Sequence, residues 1–168
     1  MKLIVLSGGM GSGKTTVMAE ASDLLKARGI VHAAIDLDAL GIAQLPSGAA
    51  DDFQYRNLAS LAGNYAAAGV ERLLLAAAVE DRAMLERIRA ALPAHEVRVC
   101  RLRAPLATLQ SRVRRREPGM LQETLVARAA ELETLLDRAG CEDFTLENHD
   151  GASVTRVATE LLRRAGWL

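Results

Sequence analysis

Residues 8 to 15 read Gly-Gly-Met-Gly-Ser-Gly-Lys-Thr, directly after the apolar run Leu3 to Leu6 and directly before a segment of helical period. No other feature constrains the fold as tightly. Glycines let the backbone turn sharply with its N–H groups gathered inward, and a helix starting at the end of that turn adds the positive end of its dipole. The expected product is a cradle for phosphate, in the spacing GxxxxGK[ST]. Lys14 is one of three lysines, with Lys2 and Lys26, among 21 basic residues, so a generic surface cation at this position would have been arginine.

The rest of the chain repeats the strand-then-helix pattern. Short runs rich in Val, Ile and Leu occur at Leu3 to Leu6, Val31 to Ile35, Leu73 to Val79, Val97 to Leu102 and Phe144 to Leu146, with apolar residues every three or four positions between them. The first helix should bury Val17, Met18, Ala21, Leu24 and Leu25 and close at Gly29; the last should bury Val154, Val157, Ala158, Leu161 and Leu162. Strands separated by helices predict an α/β fold, a three-layer α/β/α domain with a parallel sheet of about five strands spanning residues 1–168. Ligands in such a sheet lie at the carboxyl ends of the strands. Loop chemistry replaces periodicity at Pro46 to Asp52 and at Arg112 to Gly119.

Composition narrows the partners. Half the residues are hydrophobic and a quarter charged, which excludes a disordered chain. Lys plus Arg and Asp plus Glu balance at 21 each and aromatics are 3%, so neither a basic field nor a base-stacking surface points to nucleic acid. No apolar stretch approaches the ~20 residues of a membrane span. Cys100 and Cys141 form no disulfide framework or CxxC pair, and His32, His95 and His149 have no zinc spacing. A cytoplasmic protein, monomer or homodimer, with neither nucleic acid nor membrane as partner, is the expectation.

The chemistry-bearing residues follow the strands. The cradle itself, Gly8, Gly9, Met10, Gly11, Ser12, Gly13, Lys14, Thr15 and Thr16, should hold a nucleotide, with Lys14 on the outer phosphates and the Thr15 hydroxyl on magnesium. Asp36 and Asp38 follow the second strand and point the same way in extended chain, one suited to a metal water and the other to an acceptor proton; Asp38 as a turn cap is the alternative. Phe53, Arg56 and Asn57 lie between the second and third strands and could grip an acceptor, or form a surface helix. Glu80 and Asp81 end the third strand, where a substrate- or metal-linked carboxylate competes with helix capping by Asp81. Arg112, Arg114, Arg115 and Arg116 end a helix containing Leu106, Leu109 and Val113, before Pro118-Gly119 breaks the chain. They suit either a wet surface or a lid over residues 112–120 that brings cations to phosphates. Arg112 could instead stack on an adenine.

These residues together resemble a P-loop kinase of the adenylate-kinase-like group, nearest to the adenylylsulfate (APS) kinases and related small-molecule kinases. Asp36-Leu37-Asp38 matches the two acids of that family's D-G-D pair, with Leu37 in place of the glycine and no arginine soon after. Phe53, Arg56 and Asn57 match its Phe, Arg and Asn. Arg-Ala-Pro-Leu at 103–106 resembles the approach to its arginine lid, which implies lid roles for Arg112 and Arg116. Asn148 to Ser153 resembles the loop those kinases fold against adenine, implying nucleotide contacts for Asn148 and Ser153. The family's Lys-Gly-Leu-Tyr stretch after the lid is absent. The resemblance implies ATP and Mg2+ as cofactors and transfer of the γ-phosphoryl group to a hydroxyl of a small molecule. A P-loop ATPase or nucleotide-dependent switch without a small acceptor is the competing expectation.

Overall fold

The computed structural model of the chain describes residues 1–43 and 50–168. Five parallel strands, β1 (Lys2–Ser7), β2 (Ala33–Asp36), β3 (Arg72–Ala76), β4 (Glu96–Arg103) and β5 (Phe144–Glu147), form one sheet in the order β2-β3-β1-β4-β5. Among the described residues five α-helices lie between them, α1 (Lys14–Ala27), α2 (Ala50–Ala67), α3 (Arg82–Ala91), α4 (Leu106–Arg116) and α5 (Gln122–Ala139), and α6 (Val154–Arg164) follows β5. This is the three-layer α/β/α architecture expected from the pattern.

The two sheet faces follow from strand alternation. Ile4, Leu6, Cys100 and Leu102 face one layer, where Val17, Met18, Ala21 and Leu25 of α1 and Val157, Ala158, Leu161 and Leu162 of α6 cover them. Leu3, Val5 and Val99 face the other, under Tyr55, Leu58 and Ala62 of α2 and Leu85 and Ile88 of α3. Gly29 takes the left-handed conformation at φ 65°, which ends α1 as predicted. Asp81 caps α3, accepting from the Met84 N–H at 2.7 Å, so its capping reading holds. A third, small cluster of Val113, Val126 and Ala129 joins α4 to α5, with Met10 packed against it.

Three boundaries differ from expectation. β2 starts at Ala33, leaving Val31 58% exposed, because only Ala33 to Asp36 find a partner strand in β3. β3 stops at Ala76: the next peptides turn toward the glycine segment, Ala77 N–H donating to the Leu6 carbonyl and Val79 N–H to Ser7 Oγ. The loop expected at Pro46 to Asp52 lies outside the described residues up to Ala49, and α2 is already under way at Asp52. Cys100 and Cys141 are free thiols, and burial pushes Cys100 up to about 12. Among the described residues no helix is long and apolar enough to cross a membrane.

Candidate active site

The glycine segment leaves β1 and turns back into α1. Gly8, Gly11 and Gly13 have φ of 143°, 79° and 90°, conformations in which a side chain is strained. Close neighbours reinforce the requirement. A Cβ at Gly8 would stand 2.6 Å from the Leu102 carbonyl, at Gly11 2.6 Å from the Leu109 carbonyl, and at Gly13 2.5 Å from Asn148 Nδ2. At Gly9 it would collide with Glu133 Oε1. The loop is therefore wedged between β4, α4, α5 and the β5–α6 turn, and Gly8, Gly11 and Gly13 combine that crowding with a positive φ that favours glycine.

Inside the turn the Lys14 ammonium donates to the carbonyls of Gly8 and Gly9 at 2.9 and 3.2 Å. Burial lowers its pKa, with Asp38 and Asp36 pulling the other way. The Thr15 hydroxyl donates to Asp36 Oδ2 at 2.7 Å, and the Asp38 N–H donates to Asp36 Oδ1 at 3.1 Å. Asp38 opens a 3-10 turn, Asp38–Gly41, and burial raises its carboxyl above the usual range although Lys14 opposes the shift. Arg116 is near enough to weigh on both Lys14 and Asp38, while its own guanidinium meets Glu117 at 2.8 Å.

On the α6 side lies a cleft of about 300 Å³ lined by Gly11, Gly13, Thr16, Arg112, Asn148 and the following turn. Arg112 spans it, donating to the Gly11 carbonyl at 3.2 Å and to Asp150 Oδ1 at 3.0 and 3.2 Å. Asn148 is buried and donates from Nδ2 to the Ser12 carbonyl at 2.7 Å. Its side chain thus braces the cradle while lining the same cleft. Ser153 caps α6, accepting from the Arg156 N–H at 3.3 Å. That hydrogen bond fixes its side chain at the start of α6.

On α2, one candidate reaches the turn that Asp38 opens. Asn57 donates to the Leu40 carbonyl at 2.9 Å and so ties down the 3-10 turn. Arg56 lies over the Phe53 ring, 5.2 Å from its centroid, and lines a groove between α2 and α3. Glu80 does face the site: it weighs on Asp38, and its Oε2 accepts from Arg128 Nη2 at 2.7 Å.

Sequence reading missed Arg128, on α5, and also Arg101 and Glu133. Arg101 is 1% exposed beneath α5, with Nη2 2.9 Å from Glu133 Oε2 and Nη1 2.8 Å from Asp137 Oδ1. The other Glu133 oxygen is buried without a partner against Gly9. An arginine inside an apolar strand run was the one available signal.

The cradle, a hydroxyl–carboxylate pair of hard oxygen atoms and a second carboxylate beside a buried lysine suit a magnesium nucleotide. Among the described residues no cluster of three or more His, Cys, Asp or Glu could hold a metal ion. No protein-family model matches the chain, and no curated protein matches it. Solved structures do share the fold. A gluconokinase from Sinorhizobium meliloti aligns over 98% of this chain and 91% of its own at 20% identity with a TM-score of 0.63. A sugar kinase from Janibacter sp. aligns over 97% and 93% at 19% identity, TM-score 0.67. The Mycobacterium tuberculosis APS kinase in complex with AMPPNP and APS aligns over 96% and 95% at 21% identity, TM-score 0.58. The chain therefore has the fold of P-loop small-molecule kinases along nearly its whole length.

Proposed function

We propose that the protein is an ATP- and Mg2+-dependent kinase that phosphorylates a hydroxyl of a small molecule. The observation that carries this reading is the convergence of Lys14, the Thr15–Asp36 pair and Asp38 on one cradle at the carboxyl edge of the sheet. Residues 8–13 and the amino end of α1 would bind the triphosphate, Thr16, Arg112 and the cleft toward α6 the nucleoside. Thr15 and Asp36 would hold the magnesium, directly or through its waters; the ion supplies charge neutralisation at the phosphate oxygens.

In the transfer step the acceptor oxygen bonds the γ-phosphorus as the bond from that phosphorus to the β–γ bridging oxygen breaks. ADP leaves with the electron pair, and the acceptor proton passes to Asp38. Raised by burial, the Asp38 carboxyl is a better base than an exposed one. Lys14 and Arg116 meet the charge on the moving group. Gluconokinase, sugar kinase and APS kinase neighbours support phosphotransfer over acceptor-free hydrolysis, as does a base beside the cradle. The free thiols of Cys100 and Cys141 accord with a reducing cytoplasm, where we expect a monomer or homodimer.

The experiment is ATP turnover with and without pooled sugars, sugar acids, nucleosides and adenylylsulfate. Slow hydrolysis accelerated by one acceptor is expected; turnover indifferent to every acceptor would favour an ATPase or switch.

A further inference from the structure

The glycines of the cradle lean on different parts of the fold. Gly8 abuts the Leu102 carbonyl of β4, Gly11 the Leu109 carbonyl of α4 and Gly13 the Asn148 side chain, whereas Gly9 abuts an acid, Glu133 of α5. Met10, the next residue, rests on α5 as well, packed with Val126 and Ala129. The two ends of the cradle thus have separate backing. Gly11 and Gly13 line the cleft toward α6 with Thr16 and Arg112, on the nucleoside side. The Gly9 carbonyl instead accepts at 3.2 Å from Lys14, the cation of the outer phosphates.

Glu133 is pinned where it meets Gly9. Its Oε2 accepts from Arg101 Nη2 at 2.9 Å, and Arg101, itself 1% exposed, is held on its other side by Asp137 at 2.8 Å. Across the β1–β4 ladder Arg101 is paired with Ser7, the last residue before the glycine segment, so the guanidinium is anchored at the root of the loop. The remaining carboxylate oxygen, Oε1, is the one against Gly9; it is buried and has no hydrogen-bond partner among the described residues. Leaving a buried acceptor unsatisfied is costly, and here the side chain takes that position in contact with the loop.

Resting on the placement of the outer phosphates at Lys14 in the kinase reading, we infer that Glu133 is a positioning residue for phosphoryl transfer. Held from behind by Arg101, it is the stop that sets the Gly9 peptide and so the outer-phosphate end of the cradle. Its loss therefore acts on the transfer step and not on nucleotide affinity, which the Gly11 and Gly13 end governs.

Three variants of the full chain separate reach from charge: Glu133→Ala removes the stop, Glu133→Asp keeps the charge but withdraws it by a methylene, and Glu133→Gln keeps the shape. ATP turnover is measured at saturating Mg2+, without acceptor and with pooled sugars, sugar acids, nucleosides and adenylylsulfate. The Ala and Asp variants should lose kcat by about tenfold or more with the ATP KM within about twofold, and the Gln variant should stay within about threefold of the unaltered chain. Leu136→Ala, a buried change on the same helix, should lower Tm but leave kcat in place. An unchanged kcat in Glu133→Ala, a loss that falls on the ATP KM, full kcat in Glu133→Asp, a Gln variant as slow as Ala, or an equal kcat loss in Leu136→Ala each overturns the inference and leaves the kinase reading intact. If no acceptor accelerates turnover, the kinase reading falls and the same comparison decides the inference on hydrolysis. No turnover at all by the unaltered chain, with Mg-ATP binding intact by calorimetry, removes both.

Discussion

Thr15 and Asp36 stand 21 positions apart in the chain, and the hydroxyl of one donates to the carboxylate of the other at 2.7 Å. The contact fastens the first turn of α1 to the end of β2, and Asp36 also accepts from the Asp38 N–H. Asp36→Ala should therefore weaken metal use and loosen the base together. A magnesium titration of ATP turnover is expected to show the half-saturating concentration rising about tenfold or more, the loss of one charged ligand. An unchanged titration would take Asp36 out of the metal site.

Asp38 should show a conflict between chemistry and stability. Its folded pKa is raised above the ordinary carboxylate value, chiefly by burial, so its ionised form is disfavoured in the fold. The associated stability is complete below the ordinary pKa and is lost as pH rises through the raised one. Asp38→Asn is expected to cut phosphoryl transfer by about 100-fold or more. It should nevertheless raise Tm at neutral pH, the gain shrinking as pH falls toward the ordinary carboxylate range. Melting curves and rate–pH profiles of the two proteins check both halves, the acid limb of the wild-type rate standing above that of an exposed carboxylate.

Gly11 separates the cradle from α4. At φ 79° alanine costs about 1–2 kcal/mol in backbone strain alone, and its Cβ would press within 2.6 Å of the Leu109 carbonyl. Gly11→Ala should displace α4 together with Arg112, which holds the Gly11 carbonyl at 3.2 Å. A higher ATP KM, seen with a far smaller change in Tm than in binding, is the expected result; unaltered ATP affinity would show that α4 does not contribute to the nucleotide side.

Arg101 holds α5 to the sheet by charge. Removing it leaves Glu133, 17% exposed, with a buried carboxylate uncompensated, a defect that costs about 3–5 kcal/mol. Arg101→Met should lower Tm by roughly 6–20 °C. Adding Glu133→Gln should recover much of the loss. Thermal melts of the single and double variants decide it, and additive losses would mean the pair is not coupled.

Local chemistry was legible in the sequence. The cradle, the helix-capping Asp81, the apolar faces of α1 and α6 and the placement of Asp36 at the carboxyl end of a strand all depend on neighbours within a few positions. Arg128, Arg101 and Glu133 were not, because their partners lie 48 and 32 positions away and only the fold brings them together. Asn148 and Ser153 were legible as a loop but not in what they touch. Asn148 met the Ser12 carbonyl 136 positions off, and Ser153 took the capping position that a serine before an apolar period favours. On α2, aromatic and amide residues turned to the local tasks of stacking and tethering.

β1 lies in the middle of the sheet, paired with β3 on one side and β4 on the other. Its residues Ile4 to Leu6 are fully buried between those neighbours. Opening this strand requires opening both of its neighbours, so its hydrogens should be among the last to exchange with deuterium, only at the free energy of unfolding the whole chain. The glycine segment that follows β1 thus hangs from an anchorage that stays still.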